Sequence, residues 1–182
     1  GAFYEHPAFI DAFRAVSKDA LEAFAADRVI MSFHGLPERH CTKSDVTGGQ
    51  FCFKSADCCS AMVEANRFCY RAQCFATAQA LAAKLDLPDD QYEIAFQSRL
   101  GRDPWIKPYT DFRLDELPKE GVKRLAVCVP SFVADCLETL EEIGIRAKEQ
   151  FLAAGGEDLI LVPAVNSSDR WVRAVVSMIH GG

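Results

Sequence analysis

Apolar residues fall along this chain in two rhythms. Four short runs rich in Val, Ile and Leu, at residues 28–33 (RVIMSF), 92–97 (YEIAFQ), 124–129 (RLAVCV) and 158–163 (DLILVP), are continuous rather than alternating, the pattern of strands buried on both faces. Between and around them, residues 12–25, 68–85, 136–154 and 169–179 carry helical spacing. The second of these stretches places Phe75, Ala78, Ala82 and Leu85 on one face, and Gly155-Gly156 supplies a left-handed stop for the third. Strands alternating with helices imply right-handed crossovers and a parallel sheet covered on both sides. The expected fold class is therefore α/β: a doubly wound, four-stranded parallel sheet flanked by helices. One stretch, from residue 39 to about 66, fits neither rhythm and holds Cys41, Cys52, Cys58 and Cys59.

In open parallel sheets, ligands bind beyond the carboxyl ends of the strands. The segments that follow the four runs are polar and distinctive: HGLPER, led by His34; SRLGRDPW, with Ser98 and Trp105; PSFVADCLETLEE; and AVNSSDRW. Glu138 and Glu142 lie four apart, so they share one helix face, where two like charges cost stability unless something compensates. Imidazole and carboxylate are groups that hold a divalent ion or accept protons, and Trp105, Phe132 and Leu36 offer flat apolar walls.

Bulk composition narrows the field. The 182 residues suit one domain with a substantial core, and 49% apolar with 25% charged residues is ordinary globular composition. A net charge of −6 provides no basic face for phosphates or an anionic bilayer, so nucleic acid is excluded and membrane contact is at most peripheral. No apolar run approaches the roughly 20 residues of a membrane span, and GAFYEHPAF lacks the regions of a signal peptide. Eight cysteines in a chain able to build a core are read as reduced thiols that bind metal in the cytoplasm, rather than as a secreted disulfide framework.

Five blocks, MSFHGLPERH, CYRAQCFATAQALA, FQSRLGRDPWIKPYTD, PSFVADCLETLEEI and FLAAGGEDLILVPAVN, closely resemble ferrochelatase in order and spacing, from about residue 4 to the end. The resemblance implies a chelatase-like, Rossmann-like lobe that inserts ferrous iron into protoporphyrin IX or coproporphyrin to form haem. It implies that His34 and Glu138 are the catalytic pair and contact the iron. Glu142 matches a second acid in a line along which metal or protons travel, and Arg146 interrupts that line. Ser98 and Trp105 match residues near the edge of the ring. Asp135 flanks the catalytic loop, and Cys136 stands where some relatives have histidine.

The resemblance further implies that residues 1–182 form the second of two similar lobes, that the N-terminal lobe is a missing partner within the same chain, and that this piece alone has little activity. Two other functions compete: a chelatase for another tetrapyrrole with cobalt or nickel, and a non-catalytic module that binds haem or metal. The cysteine-rich insertion at about 40–67 matches a segment that carries a 2Fe-2S cluster in some relatives, with Cys41, Cys52, Cys58 and Cys59 as the expected ligands and Cys69 and Cys74 in reserve. Structural zinc is the alternative. Cys128, within the third run, is expected to be a small buried apolar residue.

Overall fold

A computed structural model describes residues 2–180. Its centre is a four-stranded, all-parallel sheet in the order β2-β1-β3-β4, made of β1 (Arg28–His34), β2 (Tyr92–Gln97), β3 (Arg124–Cys128) and β4 (Asp158–Leu161). The expected doubly wound α/β class is what is found. The pleat sends Val29, Met31 and Phe33 into one core and Ile30 into the other, and β3 divides the same way, Ala126 and Cys128 against Leu125 and Val127.

Helices α1 (Pro7–Phe24), α3 (Tyr70–Lys84) and α7 (Asp169–His180) cover the first core, where α1 packs on both of the others. The second core is closed by α4 (Thr110–Glu116), α6 (Lys148–Ala153) and the π-helical segment Glu142–Ala147. From β1 the chain crosses to β2 on one side, then passes back over β1 to β3. The strand order therefore reverses between β1 and β3, and the crevice at their carboxyl ends is the switch point where such folds bind ligands.

Several elements differ from the sequence expectation. Helix α1 starts at Pro7, five residues early, because proline suits a first helical position and His6 Nδ1 accepts the Ala8 N–H at 3.3 Å. Helix α4, absent from the expectation, supplies the crossover between β2 and β3. The single helix expected over 136–154 is three pieces: α5 (Leu137–Leu140), the π segment and α6. Gly155 does adopt the left-handed conformation expected after it, with φ +106°.

The cysteine-rich stretch has little regular structure beyond α2 (Glu38–Ser44) and a 3-10 turn at Glu64–Asn66. Two buried polar side chains organise it. Asp45 accepts the backbone N–H groups of Thr47, Phe51 and Cys52 at 2.8–2.9 Å, and the Asn66 amide donates to the carbonyls of Cys58 and Ala61 at 3.0 and 2.9 Å. These bonds satisfy a turn that has no ladder of its own.

Candidate functional site

His34 is the last residue of β1, at the switch point. Its Nδ1 lies 2.6 Å from the carbonyl oxygen of Gly35. A carbonyl can only accept, so Nδ1 is the donor in this bond, and Nε2 is the ring nitrogen not engaged by it. The ring stands between two aromatic neighbours, with centroid separations of 6.3 Å to Trp105 and 6.2 Å to Phe132. Trp105 is held by antiparallel bridging of its backbone to Pro37, next to Leu36, whose carbonyl accepts the Ile106 N–H at 3.0 Å.

Glu138 sits in the short helix α5, following the loop that leaves β3. Its carboxyl is held below the ordinary carboxylate range, first by a hydrogen bond from the Cys136 thiol, then by its own backbone N–H, with the nearby His34 adding a favourable charge. An imidazole and a carboxylate within electrostatic reach of each other can hold a divalent ion or take up protons.

Glu142 is placed differently. One of its oxygens accepts the Ser98 N–H at 2.7 Å, the other accepts the Ser98 hydroxyl at 2.6 Å, and the Gln97 amide donates from 3.3 Å. Ser98 has φ +64°, an unfavourable region for a residue with a side chain, and this double bond to Glu142 secures it. Glu142 and Ser98 also line a cavity of about 190 Å³ together with Gln97, Asp111 and Arg146. Arg146 pairs with Glu141 at 2.7 Å. Asp135 joins the loops after β3 and β4 by accepting the Asn166 amide at 2.7 Å.

Sequence reasoning missed four residues that shape this site. Gly35 is too crowded to carry a side chain, Gln97 bridges Glu138 O at 2.6 Å and Ser32, and Ser131 and Tyr70 hold the backbone of His34. Only the glycine gave a signal, as the small residue directly after the strand-end histidine.

The thiols gather away from this crevice. Cys41, Cys52, Cys58, Cys59 and Cys69 are all buried and join the first core. Cys69 is their hub: hydrogen bonds from the thiols of Cys41, Cys59 and Cys52 hold its sulfur well below the usual thiol range, whereas Cys41 and Cys59 are pushed up. The Cys58 sulfur instead receives the Phe53 N–H at 3.4 Å and lies 3.7 Å from Cys59. Buried thiols gathered in one core are donors of the kind that bind iron, but among the described residues no three His, Cys, Asp or Glu side chains are disposed around one ion. Cys74 and Cys128 are buried, and burial alone pushes Cys128 up to about 12, consistent with an inert core residue.

Comparison with known proteins identifies the family. The sequence model of the Ferrochelatase family matches residues 1–181. Proteins named ferrochelatase from Pseudomonas putida (strain F1) and Pseudomonas entomophila (strain L48) are each 54% identical over 177 residues, covering 97% of this chain and 52% of the relative. That from Pseudomonas fluorescens (strain SBW25) is 53% identical over 174 residues, covering 95% and 50%. The chain thus spans about half the length of the curated relatives it matches. Over nearly all its residues, this chain belongs to the ferrochelatase family.

Proposed function

We propose that this chain is the half of a ferrochelatase that supplies the metal-handling groups for inserting ferrous iron into a porphyrin, protoporphyrin IX or coproporphyrin, to give haem. The observation that carries the reading is the placement of His34 at the switch point, its Nδ1 tied to Gly35 O and its ring beside Trp105 and Phe132, with Glu138 within electrostatic reach. Metallation replaces two pyrrole protons by one divalent ion. His34 Nε2 accepts one proton, and Glu138 offers the negative charge that attracts the iron and then takes the second proton. Trp105 and Phe132, beside the His34 ring, and Leu36 offer apolar walls suited to a flat ring. Glu142 ends the acidic line, at the Ser98 end of the 190 Å³ cavity.

The complementary half found in the relatives supplies the opposing wall of the cleft, so this half alone inserts little iron. In the full-length protein, His34→Ala and Glu138→Gln should each lower the insertion rate by about 10²–10⁴-fold, the usual worth of a positioned acid or base. An unchanged rate in either variant would remove that residue from the mechanism.

The thiol centre is proposed as the 2Fe-2S site, held by Cys41, Cys52, Cys59 and Cys69, with Cys58 outside. The support is that these four cysteines are buried together in one core, whereas the Cys58 sulfur is taken up by the Phe53 N–H. Such a site, like the free thiols, belongs in the reducing cytoplasm. Anaerobically purified protein should contain about two irons and two sulfides. One zinc in their place would make the site a structural zinc centre. No helix of the described residues is long and apolar enough to cross a membrane.

A further inference from the structure

Strand β1 outruns its neighbour. Its last register partner in β3 is Cys128, opposite Met31, and β1 continues for three more residues to His34. On the β2 side the ladder persists, with the Gly35 N–H donating to Gln97 O at 2.8 Å. On the β3 side, the N–H and C=O of His34 have no strand to pair with, and half-buried backbone groups left alone are costly. Two side chains replace the missing strand: Ser131 Oγ accepts the His34 N–H at 3.1 Å, and the Tyr70 hydroxyl donates to His34 O at 2.9 Å.

Tyr70 comes from an unexpected direction. It is the first residue of α3, and the residue before it is Cys69, which both caps that helix and forms the hub of the thiol centre. The Cys69 N–H is fixed by Asn66 O at 2.7 Å, and its carbonyl accepts Gln73 N at 3.0 Å, so the hub is bonded to the helix turn that carries Tyr70. One peptide bond separates the sulfur centre from the residue whose hydroxyl holds the catalytic strand end.

We infer that Tyr70 is a positioning residue that couples the state of the thiol centre to the placement of His34. The inference rests on the reading of His34 as a catalytic group. A change at the sulfurs that displaces Cys69 moves the first turn of α3, releases or tightens the bond to His34 O, and so reorients the imidazole between Trp105 and Phe132.

The test uses the full-length protein with ¹⁵N-labelled histidine, the His34 ring signals being assigned by their loss in His34→Ala. Tyr70→Phe removes only the hydroxyl. It should lower kcat about 5- to 10-fold, the worth of one hydrogen bond, with KM for porphyrin within twofold, and should shift the His34 ring resonances. Cys69→Ser, or Cys41→Ser where the former does not fold, should shift the same resonances when Tyr70 is intact and leave them in place when combined with Tyr70→Phe. Unmoved resonances and an unchanged kcat in Tyr70→Phe overturn the positioning role. An equal response to the cysteine change with and without the tyrosine hydroxyl overturns the coupling. Undiminished iron insertion by His34→Ala overturns the catalytic reading instead, and leaves the resonance shifts to be judged by themselves.

Discussion

Gly35 is where the site has least room. A methyl group built on its Cα would stand 2.9 Å from Gln97 O and 3.0 Å from Trp105 Cε3, several tenths of an ångström inside normal contact. The carbonyl cannot retreat, because it accepts the Gly35 N–H at 2.8 Å and belongs to the end of β2. Trp105, itself nearly buried, must therefore shift. Overpacking of this kind costs about 1–3 kcal/mol. At roughly 2–4 °C per kcal/mol for a domain of this size, Gly35→Ala should lower Tm by about 2–12 °C. It should also lower the insertion rate of the full-length protein, because the displaced indole flanks His34. Gly144→Ala is the matched control: its methyl would meet Leu161 Cδ2 at 3.6 Å and Thr139 O at 3.7 Å, ordinary contact, with no unfavourable φ. That variant should be neutral, or more stable by up to about 1 kcal/mol. Thermal unfolding of both variants, followed with the insertion assay, decides the matter. If Gly35→Ala melts within a degree of the parent, or if the two variants shift alike, the crowding argument is wrong.

Gly156→Ala should be worse than Gly35→Ala, since its methyl would fall 2.1 Å from the ring of the fully buried Phe151; a loss approaching the roughly 3–5 kcal/mol of a deleted core aromatic is expected in chemical denaturation. Cys69→Ser should abolish bound iron and sulfide while Cys58→Ser retains them, and metal analysis that reversed the two would return Cys58 to the ligand set. Arg113 grips Glu93 through paired bonds of 2.9 and 3.0 Å and also bonds Glu120, whose carboxyl it holds below the ordinary range. Because the folded Glu120 binds its proton less tightly than the unfolded chain does, the contribution is complete above about pH 4.3 and drains away as pH falls toward the folded value. Melting curves between about pH 6 and pH 3 should therefore fall more steeply for the parent than for Arg113→Met, and parallel curves would count against this linkage.

The strands were legible because continuous apolar runs leave few alternatives, and the strand ends then pointed to His34, Trp105, Phe132 and Glu138. Helix α4 was not, because its seven residues, TDFRLDE, are too few to establish a period. The π segment was hidden for a different reason: an extra residue in one turn does not alter the spacing of apolar positions enough to read. Tyr70 and Ser131 act on backbone atoms of His34, and nothing in a residue's type announces that its hydroxyl will replace a strand. Cys69 looked like a helix-start residue and is one, yet the same position buries it in one core with Cys41, Cys52, Cys58 and Cys59, which spacing alone does not show.

The two acids four apart show how the fold separates like charges into different tasks. Left alone on one helix face, Glu138 and Glu142 would repel each other. Glu142 is instead bonded by the Ser98 N–H, the Ser98 hydroxyl and the Gln97 amide, so its charge is spent on holding a strained strand end. The same Gln97 amide donates to the backbone oxygen of Glu138, which fixes the main chain there and leaves its carboxylate to Cys136 and to His34. One carboxylate is thereby made into a fastener, and the other is left out of that bonding. If Glu142 is that fastener, Glu142→Gln, which keeps a carbonyl acceptor for Ser98, should retain most of the insertion rate. Glu142→Ala should lose it together with thermal stability, because Ser98 and the β2 end would relax. Equal and complete loss of the rate in both variants, with Tm intact, would show instead that the charge at Glu142 acts in the chemistry itself.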